Sequence, residues 1–287
     1  MKGNLLNFII KTIKKFSLGH IHWLNLDLVA GAVISQAAFS RLPIGKASFN
    51  TKTSLVLALG VFIIASLNRL LDNRKPAKAE SKKFLSNQKE RISFFKITVG
   101  ALVVACITAF FLPGEMWKLA LFLMMTSAAG TFLFSKLPER SPLHILREPL
   151  SAIILTAAII GNTFFQNQHL VKEHRYTGVI FILIVIQNLL LSSYFTAMTS
   201  PNISNLAARS GSVLTRQILH GITLLVIVGC VIICLKTEFR YTQRLIIILL
   251  GMSALHSLIL KKAKFLNSKK YKGLLITLIL VLPFLVL

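Results

Sequence analysis

The stretch VLTRQILHGITLLVIVGCVIICL, residues 213–235, carries no charged side chain between Arg216 and Lys236. Crossing about 30 Å of hydrocarbon takes roughly 20 predominantly apolar residues in a helix. In that medium every backbone N–H and C=O must find its partner within the segment, which a helix provides. The run is too long and too continuously apolar for a strand of a membrane barrel, whose residues alternate in polarity. It reads as a transmembrane helix.

Runs of the same kind recur along the chain, at His22–Leu42, Thr53–Leu71, Ser93–Leu112, Trp117–Lys136 and Pro149–Phe165, and then at Thr177–Phe195, Arg244–Leu260 and Tyr271–Leu287. The fifth is the shortest, and Gly161 and Asn162 interrupt it. Together with Val213–Leu235 they predict an all-α, polytopic bundle of about nine transmembrane helices, forming one domain over residues 1–287. Residues 1–19 place Lys2, Lys11, Lys14 and Lys15 among Phe8, Ile9, Ile10 and Phe16, the pattern of an amphipathic segment lying on a membrane surface. Their apolar part is too short and broken for a secretory signal.

The net charge of +24 belongs to the joints between these runs rather than to one basic face, so membrane lipid, not nucleic acid, is the expected partner. With the N-terminus inside, the inner joints and N-terminal segment hold about 24 of the Lys and Arg residues and the outer joints about nine, which predicts an N-inside, C-outside topology. Two inner joints are long: Asp72–Ile92, and the polar run Thr196–Ser212. Cys106, Cys230 and Cys234 lie within apolar runs; Cys230 and Cys234 share a helix face but have no nearby His or third thiol, so packing is expected.

Acidic residues are scarce, nine in all. At the inner end of the second run stand Asn68, Arg69, Asp72 and Lys75. Asn68 and Asp72 are four apart and share a helix face. Two readings stay open for them. Their oxygens suit a hydrated Mg²⁺, with Arg69 and Lys75 available to phosphate; or Asp72 pairs with Arg69 or Lys75 and marks the water boundary. Gln187 and Asn188 break the sixth run, and Asn202, Asn205 and Arg209 follow in the second long inner joint. Such amides either hydrogen-bond between helices or line a cavity. Asp27 reads as one side of a helix–helix contact, Glu148 as a helix-start carboxylate, and His220 and His256 as packing residues.

Nine helices with the longest polar inner joints after the second and sixth resemble the UbiA-type superfamily of intramembrane prenyltransferases. The family's first motif is Asn-Asp-x-x-Asp-Arg-x-x-Asp at the end of helix two. The matching stretch is Ile64-Ala65-Ser66-Leu67-Asn68-Arg69-Leu70-Leu71-Asp72, which keeps Arg69 and Asp72 and has Asn68 in place of the middle Asp. Ser81–Lys89, Gln187–Leu191 and Asn205–Gly211 are similar to a divergent bacterial branch whose aspartate motifs are degenerate. The resemblance implies prenyl transfer from a polyprenyl diphosphate to an acceptor, with Mg²⁺ as cofactor and a place in the bacterial inner membrane. It implies a diphosphate site at Asn68, Arg69, Asp72 and Lys75, with Asp72 as the metal ligand. The second-motif region falls on Gln187, Asn188, Asn202, Asn205 and Arg209, where the family's second set of acids is absent. One carboxylate binds Mg²⁺ weakly, so a non-catalytic isoprenoid-binding, lipid-binding or scaffolding membrane protein is the alternative expectation. A secondary transporter is a third, resting on the polar interruptions Gly161-Asn162 and Gln187-Asn188.

Overall fold

The computed structural model describes residues 24–46, 50–72, 88–138, 141–166, 172–199, 206–266 and 272–287. Among them no strand occurs, and the chain is a succession of helices: α1 (Leu26–Ser40), α2 (Thr51–Asp72), α3 (Gln88–Ala109), α4 (Gly114–Lys136) and α5 (Arg147–Gln166). A 3₁₀ turn at Pro142–Leu146 leads into α5. Then come α6 (Lys172–Thr199), α7 (Leu206–Lys236), α8 (Arg240–Lys261), a single turn at Ala263–Leu266, and α9 (Lys272–Leu278), which tightens into a 3₁₀ helix over Ile279–Val286. Each apolar run read from the sequence falls on one of these helices.

Seven helices, α2 to α8, are long and apolar enough to cross a membrane, which is compatible with an integral membrane protein. The first and last apolar helices, Leu26–Ser40 and Lys272–Val286, are shorter. Burial separates the centre of the bundle from its rim. Of the apolar window of α6, 67% is buried, against 17% for α3 and 6% for α4. Phe181, Ile184 and Leu191 fill the centre, while Phe95, Ile107, Phe122, Met125, Leu224 and Leu225 point outward. A continuous outward apolar surface of this kind suits hydrocarbon and would be a liability in water.

Contacts fix two ends of the bundle. At one end Arg41 Nη1 donates to the carbonyl of Leu287 (2.6 Å), Thr242 Oγ1 to that of Pro43 (3.4 Å), and the Lys52 ammonium lies 5.9 Å from the Phe111 ring. The start of α1, the C-terminal ends of α2, α4 and α6, and the N-terminal ends of α5, α7 and α9 gather at the other end, with Asn68, Arg69 and Arg209.

The sequence reading of the fifth run needs correcting. Gly161 does not interrupt α5, which is continuous from Arg147 to Gln166. A Cβ at Gly161 would stand 2.6 Å from Leu119 Cδ2, so the glycine lets α4 lie close against α5. The polar joint after α6 is also shorter than expected. Thr196–Thr199 complete α6, and Leu206–Ser210 form a helical turn before a kink at Gly211, where φ of 77° and ψ of 162° favour a residue without Cβ.

α1 and α9 hold each other closely. Pro283 has no N–H to give the Leu280 carbonyl in the 3₁₀ pattern. The Ser35 hydroxyl of α1 donates to that oxygen at 3.2 Å. One turn earlier, a Cβ on Gly31 would meet Leu280 Cβ at 2.8 Å and its carbonyl carbon at 3.3 Å. Gly31→Ala is therefore expected to destabilise the bundle by about 1–3 kcal/mol, because a backbone must shift to admit the methyl. Gly251 of α8 has nothing within 4 Å of the corresponding point. Gly251→Ala is expected to be neutral or to stabilise by up to about 1 kcal/mol through helix propensity. Thermal unfolding of the two variants in detergent checks the opposite signs.

Candidate functional site

At the end where α2 stops, Asn68 is half-buried and its Oδ1 accepts from the Thr131 hydroxyl of α4 at 3.2 Å. Its neighbour Arg69 is also half-buried, and the buried Asp27 at the start of α1 lies close enough for its charge to act on the guanidinium. Asp27 thus acts electrostatically on Arg69 of α2. Asp72 closes α2; its side chain, and all of Lys75, Asn202 and Asn205, lie outside the described residues.

Across the same end, Glu148 ties three helices together. From the start of α5 its Oε1 accepts from the Ser193 hydroxyl of α6 (3.0 Å) and from the Leu206 N–H that opens α7 (3.3 Å). A helix start leaves its first N–H groups without intrahelical partners and carries partial positive charge, so a carboxylate there is favourable. The sequence placed Glu148 correctly at the start of its own helix; it did not reveal that the residue also caps another. One turn on, Arg209 is exposed and its Nη1 donates to the Ser141 carbonyl in the joint before α5. Further in, Arg216 Nε donates to the Tyr194 hydroxyl at 2.9 Å, with the guanidinium carbon 5.8 Å from the ring centre. The Lys272 ammonium lies 5.9 Å from the Phe195 ring. Of these, Arg216, Tyr194 and Lys272 were not singled out from the sequence. An arginine one turn into an otherwise apolar run was the available signal.

Gln187 and Asn188 take a different place. Both are buried in the bundle interior, less than two turns from Ser193, and join α6 to its neighbours. Gln187 Nε2 donates to Thr223 of α7 at 2.8 Å, and its Oε1 accepts from Ser253 of α8 at 2.9 Å. Asn188 Nδ2 lies 3.0 Å from His256 Nε2 of α8 and donates to the Ile276 carbonyl of α9 at 2.7 Å. Since an amide N–H₂ only donates, His256 Nε2 is the acceptor and its ring proton sits on Nδ1. Of the two roles open to these amides, the structure displays hydrogen bonding between helices. His256 is buried, so it packs as expected, with a partner that the sequence did not name. His220, by contrast, is exposed.

The residues read as one site therefore fall into two sets. Asn68, Arg69 and Arg209 stand at the basic end, with Asp72 closing α2 there. Gln187 and Asn188 lie deeper and are engaged with α7, α8 and α9. Magnesium takes a shell of oxygen ligands, usually with a carboxylate or two. The one Asn68 oxygen already accepts from Thr131, and among the described residues no three of His, Cys, Asp and Glu come together to hold a metal ion. The side chain of Asp72, the metal ligand that the resemblance implies, lies outside the described residues. Cys230 is buried and Cys234 half-buried, in keeping with packing.

Comparison of the chain with protein-family models, with curated proteins and with solved structures finds no match.

Asn188→Ala is expected to destabilise the protein by about 1–3 kcal/mol, because it leaves the Ile276 carbonyl and His256 Nε2 buried without a donor. In a double-mutant cycle with His256→Ala, a coupling of about 0.5–1.5 kcal/mol is expected, the range of hydrogen bonds between membrane helices. Equilibrium unfolding in mixed micelles measures it; a coupling near zero would show that the pair is not a bond.

Proposed function

We propose that the chain is a membrane protein of UbiA-like plan, with nine crossings and the N-terminus inside, whose basic end receives an isoprenyl diphosphate. The two shorter helices are the first and last of these crossings. Lys272–Val286 gains reach from its 3₁₀ half, where each residue rises about 2 Å rather than 1.5 Å, for a total near 27 Å. α1, about 22 Å long, packs along it. The topology follows the positive-inside bias, which assigns the basic end to the cytoplasmic face, in a bacterial cell the inner face of the cytoplasmic membrane.

The observation that carries the ligand reading is the gathering of Arg69, Arg209, Arg216 and Lys272 at one end of a bundle, while Glu148 there is committed to capping α7. A diphosphate needs several preorganised donors, and guanidinium groups supply paired N–H donors suited to its oxygens. An isoprenoid chain is matched by the apolar helix faces below. Prenyl transfer to an acceptor is the reaction that the resemblance implies, with Asp72 the remaining carboxylate of its first motif. The second reading is binding without transfer, and the sequence favours it: Asn68, standing where the family has an aspartate, is a neutral amide and offers a cation no charge.

Geranylgeranyl diphosphate added to the purified protein in nanodiscs is expected to raise the Tm, and Arg209→Ala and Arg216→Ala to weaken the midpoint of that shift about tenfold each, the loss of one charge-assisted contact. Labelled donor with a panel of aromatic acceptors then separates the two readings. Turnover that needs Mg²⁺ and is lost in Asp72→Asn supports transfer. Stabilisation unaffected by chelator, with no turnover, supports binding alone. Absence of both stabilisation and turnover contradicts both.

A further inference from the structure

Four threonines show how a hydroxyl is ordinarily satisfied inside these helices. Thr98, Thr108, Thr126 and Thr215 each turn back onto the carbonyl four residues earlier, at 2.7–2.9 Å. Ser66 of α2 and Thr156 of α5 do not. Their hydroxyl oxygens are fully buried and have no hydrogen-bond partner, and neither does Gln36 Oε1 of α1; the three residues are 0%, 3% and 2% exposed.

Helix contacts set their depths in the bundle. Phe39 of α1 meets Phe181 of α6 at 4.9 Å, and Ile160 of α5 lies against Gly178, one turn from Phe181. α6 runs toward the basic end, so Ile160, against Gly178, stands about one turn farther from that end than Phe39. α1 and α5 run away from the basic end, so Thr156, one turn before Ile160, comes near the depth of Phe39, and Gln36 lies about one turn nearer the basic end. Asn68 beside Thr131, and Gly130 beside Leu150, put Ser66 between them and the basic end. α1, α2 and α5 are in mutual contact. The row therefore descends from Asp27 and Arg69 through Ser66 to Gln36 and Thr156.

A buried acceptor and two buried hydroxyls without partners are costly in a medium that offers none. Internal water commonly satisfies such groups where the site is polar and each molecule finds two to four partners. We propose that the seam between α1, α2 and α5 is a binding site for a file of water molecules, entered from the basic end and reaching Gln36 and Thr156 in the interior of the bundle. Water donates to Gln36 Oε1 and exchanges hydrogen bonds with both hydroxyls, giving the bundle an aqueous branch beside Asp27. The inference needs the bundle to span a membrane but not the diphosphate reading, and its test uses no isoprenoid.

Two measurements decide it. In protein freed of Cys106, Cys230 and Cys234 and held in nanodiscs, Ser66→Cys and Thr156→Cys are each exposed to the small water-soluble reagent 2-aminoethyl methanethiosulfonate. Ile184→Cys, in the apolar centre, serves as the dry control, and Lys262→Cys, exposed at the basic end, as the wet one. Both seam positions are expected to react about tenfold or more faster than Ile184→Cys, because thiolate forms where water reaches. In the otherwise native chain, Thr156→Val, which keeps the volume and removes the hydroxyl, is expected to lower the Tm by about 2–4 °C, while Thr156→Ser does not. Labelling no faster than at Ile184→Cys overturns the proposal. So does a Thr156→Val protein as stable as the native one, since a hydroxyl that binds nothing is not missed.

Discussion

The bundle is organised by one constraint: a polar group buried away from bulk solvent must find a hydrogen-bond partner, in the protein or in an internal water. The helical backbone meets that demand residue by residue. Side chains meet it by reaching across. Gln187 and Asn188, adjacent on the most buried helix, together engage Thr223, Ser253, His256 and the Ile276 carbonyl, and so bind α6 to α7, α8 and α9. Apolar packing alone discriminates weakly between registers of such helices, since lipid tails are as apolar as leucine. Two amides with fixed partners select one. The same logic explains Ser35, which occupies the carbonyl that Pro283 cannot serve.

From that constraint follows the division of the molecule into a deep polar layer and two charged ends. Charges stay where water or headgroups reach them. At the basic end they also organise backbone: Glu148 caps α7 from α5, and Arg209 holds the joint before α5. This coupling of α5, α6 and α7 sets the position of Arg216 against Tyr194. A ligand drawn to the basic end would meet side chains already held in place, which lowers the entropic cost of binding it.

The helices were legible in the sequence because their signal is local: a long run without charge forces its own secondary structure. The residue types with special roles were legible too, since Gln, Asn, Asp and Glu stand out in an apolar chain. Their partners were not. Asn68 meets Thr131 and Asn188 meets Ile276, 63 and 88 residues away, and nothing local announces either pairing. Gly161 was misread for a similar reason. Along the sequence a glycine looks like a break, whereas its cause here is the approach of Leu119 from another helix. The kink at Gly211 fell close to the expected start of its span, yet the capped turn before it depends on Glu148, which lies 58 residues earlier.

The alternation of the joints between two faces of a membrane tests the account most directly. Single cysteines placed in successive joints, within 41–50, 73–87, 110–113, 137–146, 167–171, 200–205, 237–239 and 262–271, can be probed in sealed inverted and right-side-out vesicles with a reagent that does not cross the bilayer. Strict alternation is predicted, with 73–87, 137–146, 200–205 and 262–271 all on the cytoplasmic side. Two successive joints on the same side, or the joints of the basic end split between faces, would contradict it.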